Sequence, residues 1–369
     1  MRFDAANLIV DLSTSRCLLL VAVSAIKLNR SRSYGPQPFS FCYTRVMQNQ
    51  DTLIELLNRP GSVSGTLIGE ILGISRMAVQ KRIQALVENG LPIEAVSGKG
   101  YTLADGICLL SDRDIAAHLD PAYCESVEVL QSIESTNSFL LGQEILNGKA
   151  KLCIAEAQSA GRGRRGNDWQ SAPYRNVMLS ISWGFDHWPE TITGLGLAVA
   201  LCVVETINDS YGLDVKIKWP NDLLLGENKL AGILIDVAGE SSGACNVVIG
   251  LGLNVHQPDW SASDSTYRWS DLDSLGVLPN RNDLIGRVAN SIIAMLGQFS
   301  DSGFSPLVDR WNASSSYSGR RVTVGNDDEL IEGIMTSVDS VGALLIIDDN
   351  GCEHRFADSN VSVRLVVSQ

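Results

Sequence analysis

Histidine is scarce in this chain, with four in 369 residues, and no two lie at metal-ligand spacing. The eight cysteines (Cys17, Cys42, Cys108, Cys124, Cys153, Cys202, Cys245, Cys352) include no C-x-x-C pair. Together these absences exclude a zinc module and a disulfide framework, and they suit buried thiols in a reducing, cytoplasmic setting. An excess of positive charge is also missing: 29 Lys and Arg against 42 Asp and Glu leave a net charge of −13. That excludes a protein coated in nucleic acid, while a small basic face stays open. The apolar run Leu18–Val23 is too short for a bilayer, which needs about 20 residues, so no membrane partner is expected. What is present is a 45% hydrophobic fraction, ample for a core, and a length for two or three domains.

Against this acidic background stands Gly161-Arg162-Gly163-Arg164-Arg165-Gly166, with Gln158 before it and Trp169 after. Glycine lets backbone approach a ligand closely, and arginine offers forked donors for carboxylate or phosphate. The string matches G-x-G-x-x-G, a dinucleotide fingerprint only when a strand precedes and a helix follows. Leu152–Ala155 reads as a strand, but Asn167–Asn176 contains Pro173, lacks apolar periodicity and leads into another strand at Val177. The Rossmann reading is therefore set aside. A solvated basic loop is the plain alternative, and a loop closing over an anionic ligand is the preferred one.

Residues 1–46 differ in texture from the rest of the chain. Arg16 before the apolar run and Ala22, Ser24 and Ala25 after it resemble a signal peptide, but Asp4 and Asp11 upstream do not fit one. They are expected to form a disordered or non-native extension, with Met47 as the natural first residue. Over 47–105 the pattern predicts three helices: Leu53, Ile54, Leu56 and Leu57 on the first, then Leu67, Ile68, Ile71 and Leu72 behind a Ser64 cap. Val79, Ile83, Leu86 and Val87 come next behind a Ser75 cap, and a hairpin around Ser97–Gly100 completes a winged helix-turn-helix. Arg76, Gln80, Lys81 and Gln84, with Lys99 in the wing, are the candidate DNA contacts. Five basic and five acidic side chains over 47–103 give no net positive charge, so a protein-interaction module is the alternative.

The segment 106–316 is expected to be a mixed α/β domain, and 317–369 a small SH3-like β-barrel. A connector with a short helix near Ser111 leads to strand Val127–Leu130. Ser135-Thr136-Asn137 then stand at a strand-to-helix junction, as caps or as a polar ligand pocket. The helix after them is expected to run through Leu146. A buried helix from about Thr193 precedes Lys216-Ile217-Lys218-Trp219-Pro220-Asn221-Asp222. There Asn221 and Asp222 fall in a turn, as turn chemistry or as a magnesium–phosphate site. Lys229 opens a return strand, and Gly250 and Gly252 near a sheet centre suggest close approach of a ligand or another backbone. The stretch His256–Thr266 is expected to be mobile, and Asp283–Phe299 to be an amphipathic helix.

Four motifs in this order carry a resemblance: the arginine loop with Trp169, Lys218-Trp219-Pro220-Asn221-Asp222, Lys229-Leu230-Ala231-Gly232-Ile233-Leu234, and Gly250-Leu251-Gly252-Leu253-Asn254. From about Met47 to Arg364 the chain resembles the bifunctional biotin–protein ligases and biotin operon repressors. The resemblance implies activation of biotin by ATP and Mg2+ to biotinyl-5′-AMP, then transfer to a lysine of the biotin carboxyl carrier protein of acetyl-CoA carboxylase. It implies biotin contacts from Ser135, Thr136, Asn137, Gln158, Arg162, Gly163, Arg164, Lys229, Gly232, Gly250 and Gly252. For ATP and adenylate it implies Arg164, Arg165, Trp169, Asn221, Asp222, Asn254 and Trp269, with Asn221 and Asp222 also toward magnesium. Lys229, Arg162 and Arg164 are then the catalytic cations, and the arginine loop is expected to order with ligand. A homodimer formed with adenylate would bind the biotin operator DNA. One departure stands out: the family usually carries a basic residue where Asn167-Asp168 stand here, which implies a weaker hold on ATP. A lipoate–protein ligase, a ligase without DNA binding and a non-catalytic biotin-sensing repressor remain as alternatives.

Overall fold

The computed structural model describes residues 52–104, 107–186, 192–239, 243–256, 268–326, 330–357 and 361–366. Two compact units divide the chain, Met1–Leu53 and Ile54–Gln369. All of the first but its last two residues lies outside the described residues, as do the expected extension over 1–46, Met47 and the stretch 257–266. The second unit holds the helices and sheets of the fold.

Helix α1 (Gly65–Leu72) begins where Ser64 Oγ accepts from Leu67 N at 3.2 Å, and Gly73 ends it with a left-handed φ of 66°. Ser75 caps helix α2 (Arg76–Glu88) in the same way, accepting from Ala78 N at 3.2 Å. Strands β1 (Ile93–Val96) and β2 (Gly100–Leu103) form the antiparallel wing, with Ile93 opposite Leu103. Ile68, Leu72, Val79, Ile83 and Leu86 are buried as the spacing requires. Leu67, Ile71 and Val87 are not: they are 47%, 46% and 41% exposed. The buried stripe on each helix is narrower than the apolar face the spacing predicts. Ser111 caps the short connector helix α3 (Asp112–Ala116), accepting from Asp114 N at 3.2 Å. Helix α4 (Thr136–Leu141) is shorter than expected and stops at Gly142, while Leu146 is 42% exposed.

Strands β3 (Cys124–Leu130), β4 (Ala150–Ala155), β5 (Val177–Phe185), β6 (Val215–Lys218), β7 (Asp222–Leu225), β8 (Asn228–Gly239) and β9 (Cys245–Leu253) make one seven-stranded sheet. Their order is β3-β4-β5-β9-β8-β7-β6; β3 and β4 run parallel and all other neighbours antiparallel. This is the mixed sheet expected. Alternation along β5 divides its two faces. Leu179 and Ile181 enter the main core with helices α5 (Ile192–Tyr211) and α6 (Arg281–Ser302). Ser180 points the other way, toward Thr136 and Asn137.

Helix α5 is the one described helix long and apolar enough to cross a membrane, and 67% of that stretch is buried inside the protein, as for a core helix. The last domain holds β10 (Arg321–Gly325), β11 (Leu330–Val338), β12 (Leu344–Ile347), β13 (Glu353–Phe356) and β14 (Ser362–Leu365). They form an antiparallel sheet ordered β13-β12-β11-β10-β14, which does not close between its edges among the described residues. β13 escapes the sequence pattern because Glu353-His354-Arg355 alternates no apolar residue. Trp219, buried after β6 and joined to Pro220 by a cis bond, donates from Nε1 to Gly342 O at 3.0 Å and so ties this sheet to the large domain.

The connector between the winged helix and the sheet is locked by a buried ion pair. Arg281 Nη2 lies 2.8 Å from Glu156 Oε2, and both side chains are nearly inaccessible, at 3% and 1% exposed. Arg281 also donates to Cys108 O and Asn176 O, and Glu156 Oε1 accepts from Leu110 N. Removing one partner of such a pair leaves a buried charge uncompensated, at a cost of roughly 3–5 kcal/mol. Arg281→Met is therefore expected to lower the unfolding free energy by that amount, measured by urea unfolding followed by circular dichroism.

Candidate functional site

On the face of the sheet that carries Ser180, the residues singled out by sequence form three adjoining clusters. The first is a pocket of small polar side chains. Ser135 caps α4 by accepting from Ser138 N at 3.4 Å, and Ser135, Thr136 and Asn137 are all buried. Gln158 Oε1 accepts from Thr136 N at 2.8 Å and lies 3.1 Å from Thr136 Oγ1. Ser180 Oγ lies 2.7 Å from Thr136 Oγ1 and 2.5 Å from Asn137 Oδ1. Ser135 caps the helix, one of the two readings of the hydroxyl-amide run, while Thr136 and Asn137 are buried against Ser180.

The second cluster is cationic. The arginine loop is a closed hairpin: Gly163 N donates to Asn167 O at 2.7 Å and Trp169 N to Gly161 O at 2.9 Å. A single 3-10 turn spans Arg164–Gly166, so no helix follows and the dinucleotide reading stays excluded. Arg165 and Gly166 both take left-handed turn conformations, at φ 58° and 73°, and the Arg165 side chain is exposed. Arg162 Nη2 lies 2.6 Å from Asp236 Oδ2, and Arg164 Nη1 donates to Asn221 Oδ1 at 2.8 Å. Lys229 Nζ lies 2.5 Å from Asp222 Oδ1, and Lys218 Nζ 3.7 Å from Asp222 Oδ2. Burial pushes the Lys218 ammonium below its usual range, and the Asp222 carboxylate pulls it back up.

These contacts decide what the Asn221-Asp222 turn can hold. Both carboxylate oxygens of Asp222 face lysines, and the Asn221 amide spans Arg164 and Ile233 O. Among the described residues no group of three or more His, Cys, Asp or Glu comes together. The donor set fits the holding of cationic side chains and does not fit a protein-built magnesium site. Sequence reasoning missed this because it weighed the turn alone, without the two lysines that the β6–β7–β8 pairing brings to it.

The third cluster is aromatic. Trp169 and Trp269 meet edge-to-face with centroids 5.7 Å apart, and Lys229 Nζ sits 5.6 and 5.9 Å from the two rings. Trp169 lies directly on Gly252 and close against Gly232, where an added β-carbon would press into its indole. Gly250 is covered by the Asn137 amide in the same way. The glycines of β8 and β9 thus make room for the side chains of Trp169 and Asn137, where the sequence pattern suggests a ligand or another backbone. Asn254 is 1% exposed with Oδ1 unpartnered, and Trp169 Nε1 is a buried donor without an acceptor. Buried polar atoms without partners are rare in a folded protein, and these two lie by the two indoles and Lys229.

Sequence reasoning missed Asp236 and Ser180. A signal existed for Asp236: counting by twos along β8 from Gly232 through Leu234 puts it on the glycine face. The proposed DNA contacts stand elsewhere: Arg76, Gln80, Lys81 and Gln84 are exposed on α2, and Lys99 on the wing. Gln84 Nε2 donates to Glu88 Oε1 at 3.2 Å.

Comparison with known proteins bears on all three clusters. Residues 129–254 match the biotin/lipoate A/B protein ligase family, and residues 49–102 match an HTH domain. Over 80% of its length the chain is 38% identical to the bifunctional ligase/repressor BirA of Escherichia coli, covering 92% of that protein. Over 81% it is 29% identical to the protein of the same name from Bacillus subtilis, covering 94% of it. The solved biotin protein ligase of Aquifex aeolicus in complex with biotin and ATP shares the fold, with TM-score 0.57 at 23% identity, over 65% of this chain and 99% of that one.

Proposed function

The chain belongs to the family of bifunctional biotin ligase–repressors, and from that premise we propose how its residues divide the work. It is a biotin–[acetyl-CoA-carboxylase] ligase with a helix-turn-helix repressor domain. In the first step the biotin carboxylate attacks the α-phosphorus of ATP and pyrophosphate leaves. In the second an acceptor lysine of the biotin carboxyl carrier protein attacks the acyl carbon of biotinyl-5′-AMP, and AMP leaves. No protein nucleophile is needed, because substrate carboxylate and acceptor amine fill that role.

One observation carries the assignment: the polar pocket, the arginine hairpin and Lys229 all adjoin the same glycine strands, β8 and β9. Ser135, Thr136, Asn137 and Gln158 take the biotin head, whose N–H and C=O groups match their acceptors and donors. Attack of one anion on another needs positive charge placed where negative charge gathers. Arg162 and Arg164 supply it from the hairpin, with the Gly163 backbone between them, and Lys229 from the sheet. Trp269 and Trp169 take the adenine side, where Asn254 Oδ1 and Trp169 Nε1 stand unpartnered. Arg165, on the rim, meets the outer phosphates. Magnesium comes with the ATP phosphates, and Asn221 and Asp222 orient Arg164 and Lys229.

The domain limits accord with the same reading: a winged helix over 47–105, the ligase over 106–316 and an SH3-like domain over 317–369. The last rests on short antiparallel strands joined by tight turns. The six described cysteines are unpaired, which supports a reducing, cytoplasmic setting. Adenylate binding promotes a homodimer that sets two α2 helices on a palindromic biotin operator.

Mass spectrometry of the adenylate formed from a biotin and lipoate mixture tests the chemistry; a lipoyl product would overturn the biotin assignment. Lys229→Ala is expected to slow adenylate formation roughly 100- to 1,000-fold, the effect of losing one fixed charge donor, measured by pyrophosphate release. Asn167 contributes backbone hydrogen bonds to the hairpin and is exposed, so Asn167→Arg should fold and lower the KM for ATP. An unchanged or raised KM would contradict the weak-hold expectation. A gel shift on the chain's own biotin-gene promoter should appear with biotin and ATP together and not with either alone.

A further inference from the structure

The polar pocket and the arginine hairpin meet at one carboxylate, Asp236. It stands on the glycine face of β8, opposite Val248, with its side chain 23% exposed. A single oxygen, Oδ2, accepts from Asn137 Nδ2 at 2.9 Å and from Arg162 Nη2 at 2.6 Å. An ionised carboxylate can only accept, so the Asn137 amide must turn its NH2 toward Asp236 and its Oδ1 toward Ser180. Ser180 Oγ, 2.5 Å from that oxygen, has one hydrogen and gives it there. Its lone pairs then accept the single hydroxyl hydrogen of Thr136, whose Oγ1 lies 2.7 Å from Ser180 Oγ and farther, at 3.1 Å, from Gln158 Oε1. Gln158 Oε1 accepts from the Thr136 backbone N at 2.8 Å, a fixed donor that orients it independently of the chain. The bonds from β8 through Ser180 take their direction from the acceptor-only group at the start. Gly250 makes room for the arrangement, since a β-carbon there would strike the Asn137 amide.

We propose that Asp236 is a positioning residue that joins two parts of the ligase site. It sets the donor and acceptor polarity of Asn137, Ser180 and the Thr136 hydroxyl, and it holds Arg162 of the hairpin beside the same cluster. The inference rests on the ligase reading for the chemistry of the ligand head, a cyclic urea that must find acceptors for N–H and donors for C=O. Asp236 itself touches no reacting atom. Its two hydrogen bonds act through Asn137 on head-group affinity and through Arg162 on the hairpin. A carboxylate that served only as packing would move neither selectively.

Asp236→Asn keeps the shape and removes both the charge and the acceptor-only constraint. In full-length protein, pyrophosphate release should show a biotin KM raised about tenfold or more, the range for a lost hydrogen bond to a charged group. The ATP KM should stay within about twofold, and Asp236→Glu should recover most of the biotin affinity. Trypsin cleavage after Arg162, without added biotin, should be several-fold faster in Asp236→Asn than in the wild type. A biotin KM unchanged in Asp236→Asn, or raised in equal measure with that of ATP, would overturn the pocket role. Equal cleavage rates would overturn the hairpin role. If the wild type forms no biotinyl adenylate, the ligase reading falls, while the trypsin comparison still decides the Arg162 tie. Should Asp236→Asn fail to fold, Ser180→Ala interrupts the same chain beyond Asn137. It should raise the biotin KM while leaving cleavage after Arg162 unchanged, and an unchanged KM there would refute the polarity relay.

Discussion

Bare backbone at Gly232, Gly250 and Gly252 is the constraint on which this site is built. In the pairing of β8 with β9, Gly232 faces Gly252 and Leu234 faces Gly250. The indole of Trp169 and the amide of Asn137 rest where β-carbons would otherwise stand. A strand normally loses stability at glycine; here the long flanking pairing from Ala231 to Gly239 with Cys245 to Leu253 offsets that loss. The glycine face thus takes the Asn137 amide at one end and the indole of Trp169, edge-on to Trp269, at the other. The hairpin from Gly161 to Trp169 is held to this face by the same packing, because its last residue is the indole that rests on it.

Charge is the second organising feature. In a chain of net charge −13, the site gathers Arg162, Arg164, Lys218 and Lys229 around the same strands. Two carboxylates balance them: Asp236 against Arg162, and Asp222 against Lys229 and Lys218. Partly buried pairs of this kind are screened less by salt than surface pairs, and they keep the side chains ordered.

The rest of the molecule braces this arrangement. Glu156 stands directly after β4 and precedes Gln158 by two residues, and its buried pair with Arg281 fixes both the connector at Cys108–Leu110 and the base of α6. Trp219, close to the Asn221-Asp222 turn, anchors the C-terminal sheet through Gly342 O. The connector that leads from the winged helix and the C-terminal sheet are therefore each joined to the large domain within a few residues of the polar pocket or the cationic cluster.

The winged helix was legible because Ser64, Gly73 and Ser75 mark helix ends with local chemistry, and the wing because Ser97–Gly100 is a turn between alternating segments. Strands β5 to β9 were legible through their apolar runs, and the basic hairpin through three arginines among glycines in an acidic chain. The resemblance then came from motif order. Helix α4 was misjudged in length because Leu140, Leu141, Ile145 and Leu146 continue an apolar spacing past the point where Gly142 stops it. The sequence by itself thus determined the order of elements, the ligand class and most of the cations, because caps, turns, periodicity and residue type are local properties. Only the tertiary structure decided that Asp222 pairs with Lys229 and Lys218, and that Asp236 joins Asn137 to Arg162. Those outcomes depend on strand register and on side chains 74 to 99 residues apart meeting on one carboxylate, and no local pattern records such a meeting.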